Sequence, residues 1–285
     1  MYALIDGKKL AQEMRVEIKS GVDGFTRKNG REIGLAVVLV GDDPASQVYV
    51  RNKIKACEEV GIKSFSYRLP ADSAETEVEK LINGLSADKN VDGILVQLPL
   101  PKHLNADKIL KLIPAEKDVD GFSDENTGKL LTGKDCLVAC TPNGVMKMLE
   151  RYGVQTRGKR AVVVGRSNIV GKPMAMLLLN ADATVTVCHS KTENLKNECL
   201  SADILVAAIG RAKFITADMV KDGATVIDVG MNRDENGKLC GDVDFEAVKD
   251  KCSYITPVPG GVGPMTITML MYNTLQAAIR RKVGL

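Results

Sequence analysis

The 285-residue sequence contains no tryptophan, and aromatic residues make up only 4% of it. Its two histidines and seven cysteines form no CxxC or HExxH pattern, so neither a disulfide framework nor a metal site is predicted. The formal net charge is only +3 and no basic tract is present, which argues against nucleic acid as a partner. No apolar run approaches the roughly 18 residues of a membrane span, and the N-terminus has no signal-peptide pattern. We therefore expect a cytoplasmic protein that contacts no membrane.

Short apolar runs alternate with amphipathic segments along most of the chain. This alternation is typical of an α/β protein in which helices cover parallel strands. The length predicts two domains. We place the first at residues 1–140, joined by a C-terminal helix at 265–285, and the second at 141–264. The polar stretch 118–134 is interpreted as an irregular connection, and the second domain is predicted to be a Rossmann-like, doubly wound parallel sheet.

A glycine loop, GRSNIVGKP at residues 165–173, follows the predicted strand 160–164. It is not a Walker A loop, because five residues separate Gly165 from Gly171 and a proline stands where the hydroxyl residue belongs. It also departs from GxGxxG, since Ser167 replaces the second glycine. A serine is small enough to let a pyrophosphate approach the backbone at the start of the next helix. The loop therefore predicts a dinucleotide site.

The end of the following strand favours NADP over NAD. Sites that prefer NAD place an acidic residue there to bind the ribose 2′-hydroxyl, but this chain has the sequence CHSK at residues 188–191. Arg166, Ser190 and His189 are suited to bind a 2′-phosphate through charge-assisted hydrogen bonds. The alternative is that Arg166 is a solvated surface cation.

Tyr49 and Lys53 lie four residues apart in a predicted helix at 44–60, with Ser46 one turn earlier, so they share one helix face. Short-chain dehydrogenases use a Tyr-x-x-x-Lys pair for proton transfer, but there the pair follows the nucleotide loop, whereas here it precedes it. Without other signals, Lys53 would be one solvated charge on a basic helix.

Four further motifs accompany the glycine loop in order along nearly the whole chain. They are VDGILVQLPLP at 91–101, PAEKDVDGF at 114–122, CTP at 140–142 and PVPGGVGPMT at 257–266. Together they closely resemble the bifunctional methylenetetrahydrofolate dehydrogenase and methenyltetrahydrofolate cyclohydrolase family. The length of the last motif makes coincidence implausible.

This resemblance implies two α/β domains flanking a cleft that holds the folate, with NADP on the second domain. It implies that Lys53 is the central catalytic group, that Tyr49 packs on the aminobenzoyl ring and that Gln97 hydrogen-bonds Lys53. Asp120 would accept a hydrogen bond from the pterin amino group, with Asp118 shaping the loop. Further substrate contacts implied by the resemblance are Ser46, Leu98, Pro99, Pro259, Gly260 and Gly261, and further cofactor contacts are Thr141 and Thr266.

The implied reactions are NADP-dependent oxidation of 5,10-methylenetetrahydrofolate to 5,10-methenyltetrahydrofolate and hydrolysis of that product to 10-formyltetrahydrofolate. Family members serve purine biosynthesis and are commonly homodimers through the nucleotide domain. Two other interpretations remain open at this point. One is an NADP-dependent oxidoreductase of another small substrate, and the other is a non-catalytic protein that senses a dinucleotide.

Overall fold

The computed structural model describes residues 2–283. Its strands are β1 Ala3–Leu4, β2 Gly34–Val40, β3 Lys63–Leu69, β4 Gly93–Val96, β5 Arg160–Val164, β6 Thr184–Cys188, β7 Ile204–Ala207, β8 Thr225–Asp228, β9 Asn232–Arg233, β10 Leu239–Cys240 and β11 Tyr254–Ile255. Its α-helices are α1 Gly7–Asn29, α2 Pro44–Val60, α3 Glu75–Ala87, α4 Ala106–Leu110, α5 Asp124–Leu131, α6 Cys140–Arg151, α7 Gly171–Asn180, α8 Leu195–Leu200, α9 Phe245–Val248 and α10 Val262–Val283.

Contacts within the chain divide the described residues into two compact units. The first unit consists of residues 12–140 and 267–283, and the second of residues 2–11 and 141–266. The expected boundaries placed residues 1–140 in one domain, so the observed division differs in the first eleven residues. Residues 267–283 of the C-terminal helix belong to the first unit in this division.

The second unit is built on a six-stranded sheet with the order β1-β11-β8-β7-β5-β6, in which every pair of neighbours is parallel. Its central strands β5, β7 and β8 are buried almost throughout, as parallel strands covered on both faces must be. A short antiparallel hairpin of β9 and β10 follows β8. The predicted α/β class with a doubly wound parallel sheet is confirmed.

The first unit contains a three-stranded parallel sheet with the order β3-β2-β4. All seven residues of β2 are buried, because β2 is the central strand and both of its faces are covered. Apolar side chains of α3 and α4, among them Val78, Ile82 and Ile109, pack with alternate residues of β2 and β4 in one core cluster. The carboxyl ends of these strands lead directly into the functional segments described below.

Two segments differ from the expected local structure. The stretch 118–134 was expected to be irregular, but it contains α5, whose N-terminus is capped by Ser123 Oγ accepting from the Asn126 N–H. The final helix begins at Val262 instead of residue 265. Pro264 is compatible with that start, because the first helical turn does not need its missing N–H.

None of the helices in residues 2–283 combines the length and the apolar character that crossing a membrane requires.

Candidate active site

Helix α2 positions the tyrosine and lysine of the first unit. It begins directly after the carboxyl end of β2, with Pro44 in its first turn and Asp43 Oδ2 accepting from the Ser46 N–H at 2.7 Å. The cap and the proline fix the helix start and therefore the face that carries Tyr49 and Lys53. Tyr49 is 38% exposed, whereas Ser46 is almost fully buried.

Lys53 and Gln97 form a direct hydrogen bond. The Lys53 Nζ donates to Gln97 Oε1 at 3.0 Å, and Gln97 Nε2 donates to the Leu98 carbonyl at 2.7 Å. Gln97 lies at the carboxyl end of β4, where its backbone N–H extends the sheet by donating to the Val38 carbonyl. The peptide bond between Leu98 and Pro99 is cis. The amide oxygen of Gln97 therefore sets the direction of the lysine ammonium group.

Asp120 is electrostatically coupled to this lysine. Burial raises the pKa of the Asp120 carboxyl to about 6, the Lys53 charge lowers it, and the neighbouring Asp118 charge raises it. Lys53 thus donates a hydrogen bond to Gln97 and its charge acts on Asp120, although the three residues lie far apart in sequence. Asp120 carries its negative charge less readily than an ordinary aspartate.

Asp118 has the loop-shaping position that was expected. Its carboxylate accepts from the backbone N–H groups of Gly121 at 3.1 Å and Ser123 at 2.7 Å, and from Asn126 Nδ2 at 3.1 Å. These bonds hold the turn that presents Asp120. Because its oxygens are engaged inside the protein, Asp118 acts on the site through this turn.

Asn273 is a residue of this site that sequence reasoning missed. It lies buried in α10, and its Nδ2 donates to the carbonyls of Val119 and Val138, both at 2.8 Å. The buried Cys140 thiol donates to the same Val119 carbonyl. Asn273 therefore ties the residue before Asp120 to the C-terminal helix. Its sequence signal is an amide within a largely apolar helical run.

The glycine loop of the second unit joins β5 to α7. Gly165 has a φ of +132°, and a Cβ atom there would lie 2.2 Å from the Ala208 carbonyl oxygen, so only glycine fits. Ser167 Oγ accepts from the N–H groups of Val170 at 3.2 Å and Gly171 at 3.4 Å. Arg166 and Ser167 are both exposed on this loop.

The segment after β6 forms a turn held by its own side chains. The His189 N–H donates to Thr192 Oγ1 at 2.8 Å, and the Lys191 N–H lies 3.2 Å from His189 Nδ1. Since Nδ1 accepts this bond, a neutral His189 carries its proton on Nε2. Ser190 is exposed at the tip. The turn follows β6, which pairs directly with β5, so both predicted phosphate-binding segments leave the same edge of the sheet.

The remaining predicted residues also lie in the second unit. The hydroxyls of Thr141 and Thr266 are hydrogen-bonded to each other at 2.9 Å. The turn that contains Pro259, Gly260 and Gly261 precedes α10, and the Gly260 carbonyl accepts from the Lys8 N–H at 2.9 Å. Contacts within the chain assign all five residues to the second unit.

The second unit fits a nicotinamide dinucleotide. Its glycine loop leaves a central strand at the carboxyl edge of a parallel sheet, where open α/β sheets bind ligands. The side-chain-free Gly165 and the exposed Arg166 and Ser190 suit an anionic group at this edge. Among residues 2–283 there is no cluster of histidine, cysteine or acidic side chains arranged to hold a metal ion.

Comparison with known proteins identifies the family of both halves of the chain. Residues 5–120 match the catalytic domain of the tetrahydrofolate dehydrogenase/cyclohydrolase family, and residues 139–282 match its NAD(P)-binding domain. The bifunctional protein FolD of Ralstonia nicotianae is 61% identical over 277 residues, which cover 97% of this chain and 96% of the relative.

Two solved structures extend this likeness to the fold. The bifunctional methylenetetrahydrofolate dehydrogenase/cyclohydrolase FolD from Campylobacter jejuni gives a TM-score of 0.96 at 52% identity, with 99% of this chain and 100% of that chain covered. The Trypanosoma brucei enzyme, solved with NADP and an inhibitor, gives 0.94 at 39% identity, with 100% and 99% covered.

These matches confirm the family that the sequence motifs resembled, the predicted enzyme class and the nicotinamide cofactor. The protein is a bifunctional methylenetetrahydrofolate dehydrogenase and methenyltetrahydrofolate cyclohydrolase. The catalytic-domain match includes Lys53, Gln97 and Asp120, and the NAD(P)-binding-domain match includes the glycine loop. The chain therefore belongs to the tetrahydrofolate dehydrogenase/cyclohydrolase family.

Proposed function

We propose that Lys53, Gln97 and Asp120 carry out and orient the folate chemistry, with Tyr49 packing on the aminobenzoyl ring. The observation that carries this assignment is the hydrogen bond between Lys53 and Gln97 beside the electrostatically coupled Asp120. Ser46, Leu98 and Pro99 belong to the same unit and are assigned to substrate binding with them. Pro259, Gly260 and Gly261 keep the assignment that the family resemblance implies for them, as substrate contacts.

The dehydrogenase step needs alignment more than proton transfer. In 5,10-methylenetetrahydrofolate one carbon bridges two nitrogens, whose lone pairs stabilise the cation left when hydride departs. When bound, the dinucleotide is the hydride acceptor. Tyr49 and Asp120 hold the ring system from two positions, so that the bridge carbon keeps a defined orientation. No strong base is required for this step.

The cyclohydrolase step does move protons. Water adds to the cationic carbon of 5,10-methenyltetrahydrofolate and loses a proton, which leaves a hydroxyl group on that carbon. The bond from this carbon to N5 then breaks as N5 gains a proton and the hydroxyl loses one, which gives the 10-formyl product. The Lys53 Nζ takes or relays a proton in this step, and Gln97 Oε1 holds that nitrogen in place. Because Lys53 and its partners serve both reactions, the intermediate can react again without leaving the site.

The two activities are tested by mixing the purified protein with NADP and 5,10-methylenetetrahydrofolate. We expect NADPH to appear first and 10-formyltetrahydrofolate to follow, with NADP used better than NAD. An enzyme that reduces NADP only with an unrelated substrate, or that binds the dinucleotide without turnover, would contradict the proposal and support one of the alternatives from the sequence.

The preference for NADP is assigned to Arg166, Ser190 and His189, which lie on the two segments leaving β5 and β6. Replacement of Arg166 by alanine removes the cation that would pair with the 2′-phosphate. We expect Arg166→Ala to raise KM for NADP about tenfold or more and to change KM for NAD little. Arg157→Ala, which replaces an exposed arginine of the same unit outside this loop, is the matched control. A wild-type enzyme that runs better on NAD would contradict this assignment.

We further propose that the enzyme is a cytoplasmic homodimer that supplies one-carbon units for purine biosynthesis. The dimer is supported by β6, the last strand of the six-stranded sheet, which has no partner on its outer edge in residues 2–283. The apolar side chains of Val187, Leu179 and Ile169 are exposed on the second unit. Unpaired edges and exposed apolar groups of this kind are suited to association with a second copy.

A further inference from the structure

Two buried carboxylates that the mechanism above does not use lie at the carboxyl edge of the second unit's sheet. Asp228 is the last residue of β8 and lies in register with Ala207, the last residue of β7. Asp242 follows β10, and its residue is completely buried. Because a buried charge is costly unless it is hydrogen-bonded, the partners of each carboxylate show what it holds. The β7 loop is defined here as residues 208–211.

Asp242 is surrounded by the β7 loop. Its Oδ2 accepts from the backbone N–H groups of Ile209 at 2.7 Å and Gly210 at 3.1 Å. Its Oδ1 accepts from the Arg211 N–H at 2.8 Å and from Asn232 Nδ2 at 2.9 Å. An ionised carboxylate has about four acceptor positions, and these four bonds fill them. Asp242 therefore acts through the β7 loop and not by binding a ligand itself.

Asp228 connects this arrangement to the loop that leaves β8. Its Oδ1 accepts from the N–H groups of Gly230 and Asp242, and its Oδ2 accepts from the Val243 N–H, all at 2.9 Å. A Cβ atom at Gly230 would lie 2.3 Å from the Asp242 carboxyl carbon, so the two loops meet directly at the carboxylate. The loops after β7 and β8 thus form one hydrogen-bonded assembly.

The β7 loop also contacts the glycine loop. The carbonyl oxygen of Ala208 occupies the space that a Cβ atom on Gly165 would need, 2.2 Å away. On the other side of the β7 loop, Gly210 and Arg211 are exposed. The loop is therefore held by Asp242 from within, lies against the proposed dinucleotide loop, and presents its outer surface at the ligand-binding edge of the sheet.

We propose that Asp242 is a positioning residue for the dinucleotide, holding the β7 loop where it forms one wall of the site beside Gly165. This inference rests on the proposed assignment of the glycine loop to NADP. Asp228 supports it by fixing the backbone of Asp242. The role is to pre-form the site, so that binding does not require the loop to become ordered.

The test compares Asp242→Asn with the wild-type enzyme. The asparagine side chain places an NH2 donor where the aspartate has an acceptor oxygen, so N–H groups of the β7 loop lose their acceptor. We therefore expect a rise of about tenfold or more in the Kd for NADPH and in the KM for NADP. Cyclohydrolase activity is measured on 5,10-methenyltetrahydrofolate without any dinucleotide, and we expect it to stay within about twofold of wild type. Asp222→Asn replaces an exposed aspartate of the same unit and serves as the matched control.

Asn232→Ala is the second variant, because it removes a single donor to Asp242 and leaves the carboxylate in place. It should raise the Kd for NADPH in the same direction by a smaller factor, and it decides the question if Asp242→Asn does not fold. An unchanged Kd for NADPH, or an equal loss of both activities, would overturn the role of Asp242. A wild-type enzyme without folate activity would instead refute the proposed function, while the NADPH titration would still test Asp242.

Discussion

At the scale of single residues, the catalytic assignments depend on how polar groups are paired. Gln97 gives the Lys53 ammonium an acceptor on the protein, and the positive charge of Lys53 in turn lowers the pKa of Asp120. The side chains are therefore interdependent, and substitutions in them should separate the two activities instead of reducing both alike.

Lys53→Met removes the ammonium group while keeping a long unbranched side chain. Since only the hydrolysis moves protons, we expect cyclohydrolase kcat to fall by about 100-fold or more, and dehydrogenase kcat by about tenfold or less. Both rates are measured on the purified variant. Lys55→Met, an exposed lysine on the same helix, is the control. If Lys53→Met retains both activities equally, Lys53 does not have this role.

Asp120→Asn tests the raised pKa. At pH values between 3.8, the ordinary pKa of an aspartate, and about 6, Asp120 is protonated in a larger fraction of folded than of unfolded molecules. The free energy of unfolding therefore falls as the pH rises through this window, and the full cost of the buried charge is present above it. At pH 8 we expect the free energy of unfolding of Asp120→Asn, measured by urea unfolding, to exceed that of the wild type by about 1–3 kcal/mol. This difference should shrink toward pH 4.

Glu116→Gln, an exposed carboxyl in the same segment, should show no comparable pH-dependent difference from wild type. A difference between Asp120→Asn and wild type that stays constant from pH 8 to pH 4 would show that Asp120 titrates normally.

At the scale of elements, a buried lysine holds the end of a helix. Lys117 Nζ donates to the carbonyls of Leu85 at 3.1 Å, Ser86 at 2.8 Å and Asp88 at 2.7 Å, at the C-terminus of α3. Burial lowers the pKa of this lysine. Terminal carbonyls of a helix lack partners within the helix and carry its negative dipole end, so a cation is favourable there.

Lys117→Met should destabilise the protein by about 2–3 kcal/mol, because it leaves buried carbonyls without a donor. The measurement is urea unfolding followed by circular dichroism. Lys111→Met, an exposed lysine nearby, should change stability by less than about 0.5 kcal/mol. Equal stability of the two variants would show that water replaces the Lys117 bonds without cost.

At the scale of the whole molecule, the edge of β6 that has no partner strand in residues 2–283 gives the proposed dimer a testable contact. Val187 is 38% exposed on this strand. A lysine at such a position opposes edge pairing, so we expect Val187→Lys to sediment as a monomer where the wild type sediments as a dimer. Val16→Lys, at an exposed position on α1, is the control. A wild-type monomer, or an unchanged dimer in Val187→Lys, would contradict the proposed interface.

The sequence by itself determined the family and the class of reaction. The motifs around Lys53, Gln97, Asp120 and Gly165 are continuous segments, and the strands β2 and β5 are apolar runs that need no distant partner to be recognised. For the same reason, the predicted ranges of α2 and β5 agree with the structure. These features depend on local periodicity and local motifs, which a single sequence displays directly.

Only the tertiary structure showed what holds these motifs in place. The two-residue strand β1 is too short for any periodic pattern, and it is defined by pairing with β11 near the other end of the chain. Asn273 donates to the Val119 carbonyl, 154 residues earlier in the chain. Asp242 accepts from N–H groups of the β7 loop that lie 31 to 33 residues earlier. Such contacts arise when the chain folds back on itself, and the local sequence carries no periodic signal for them.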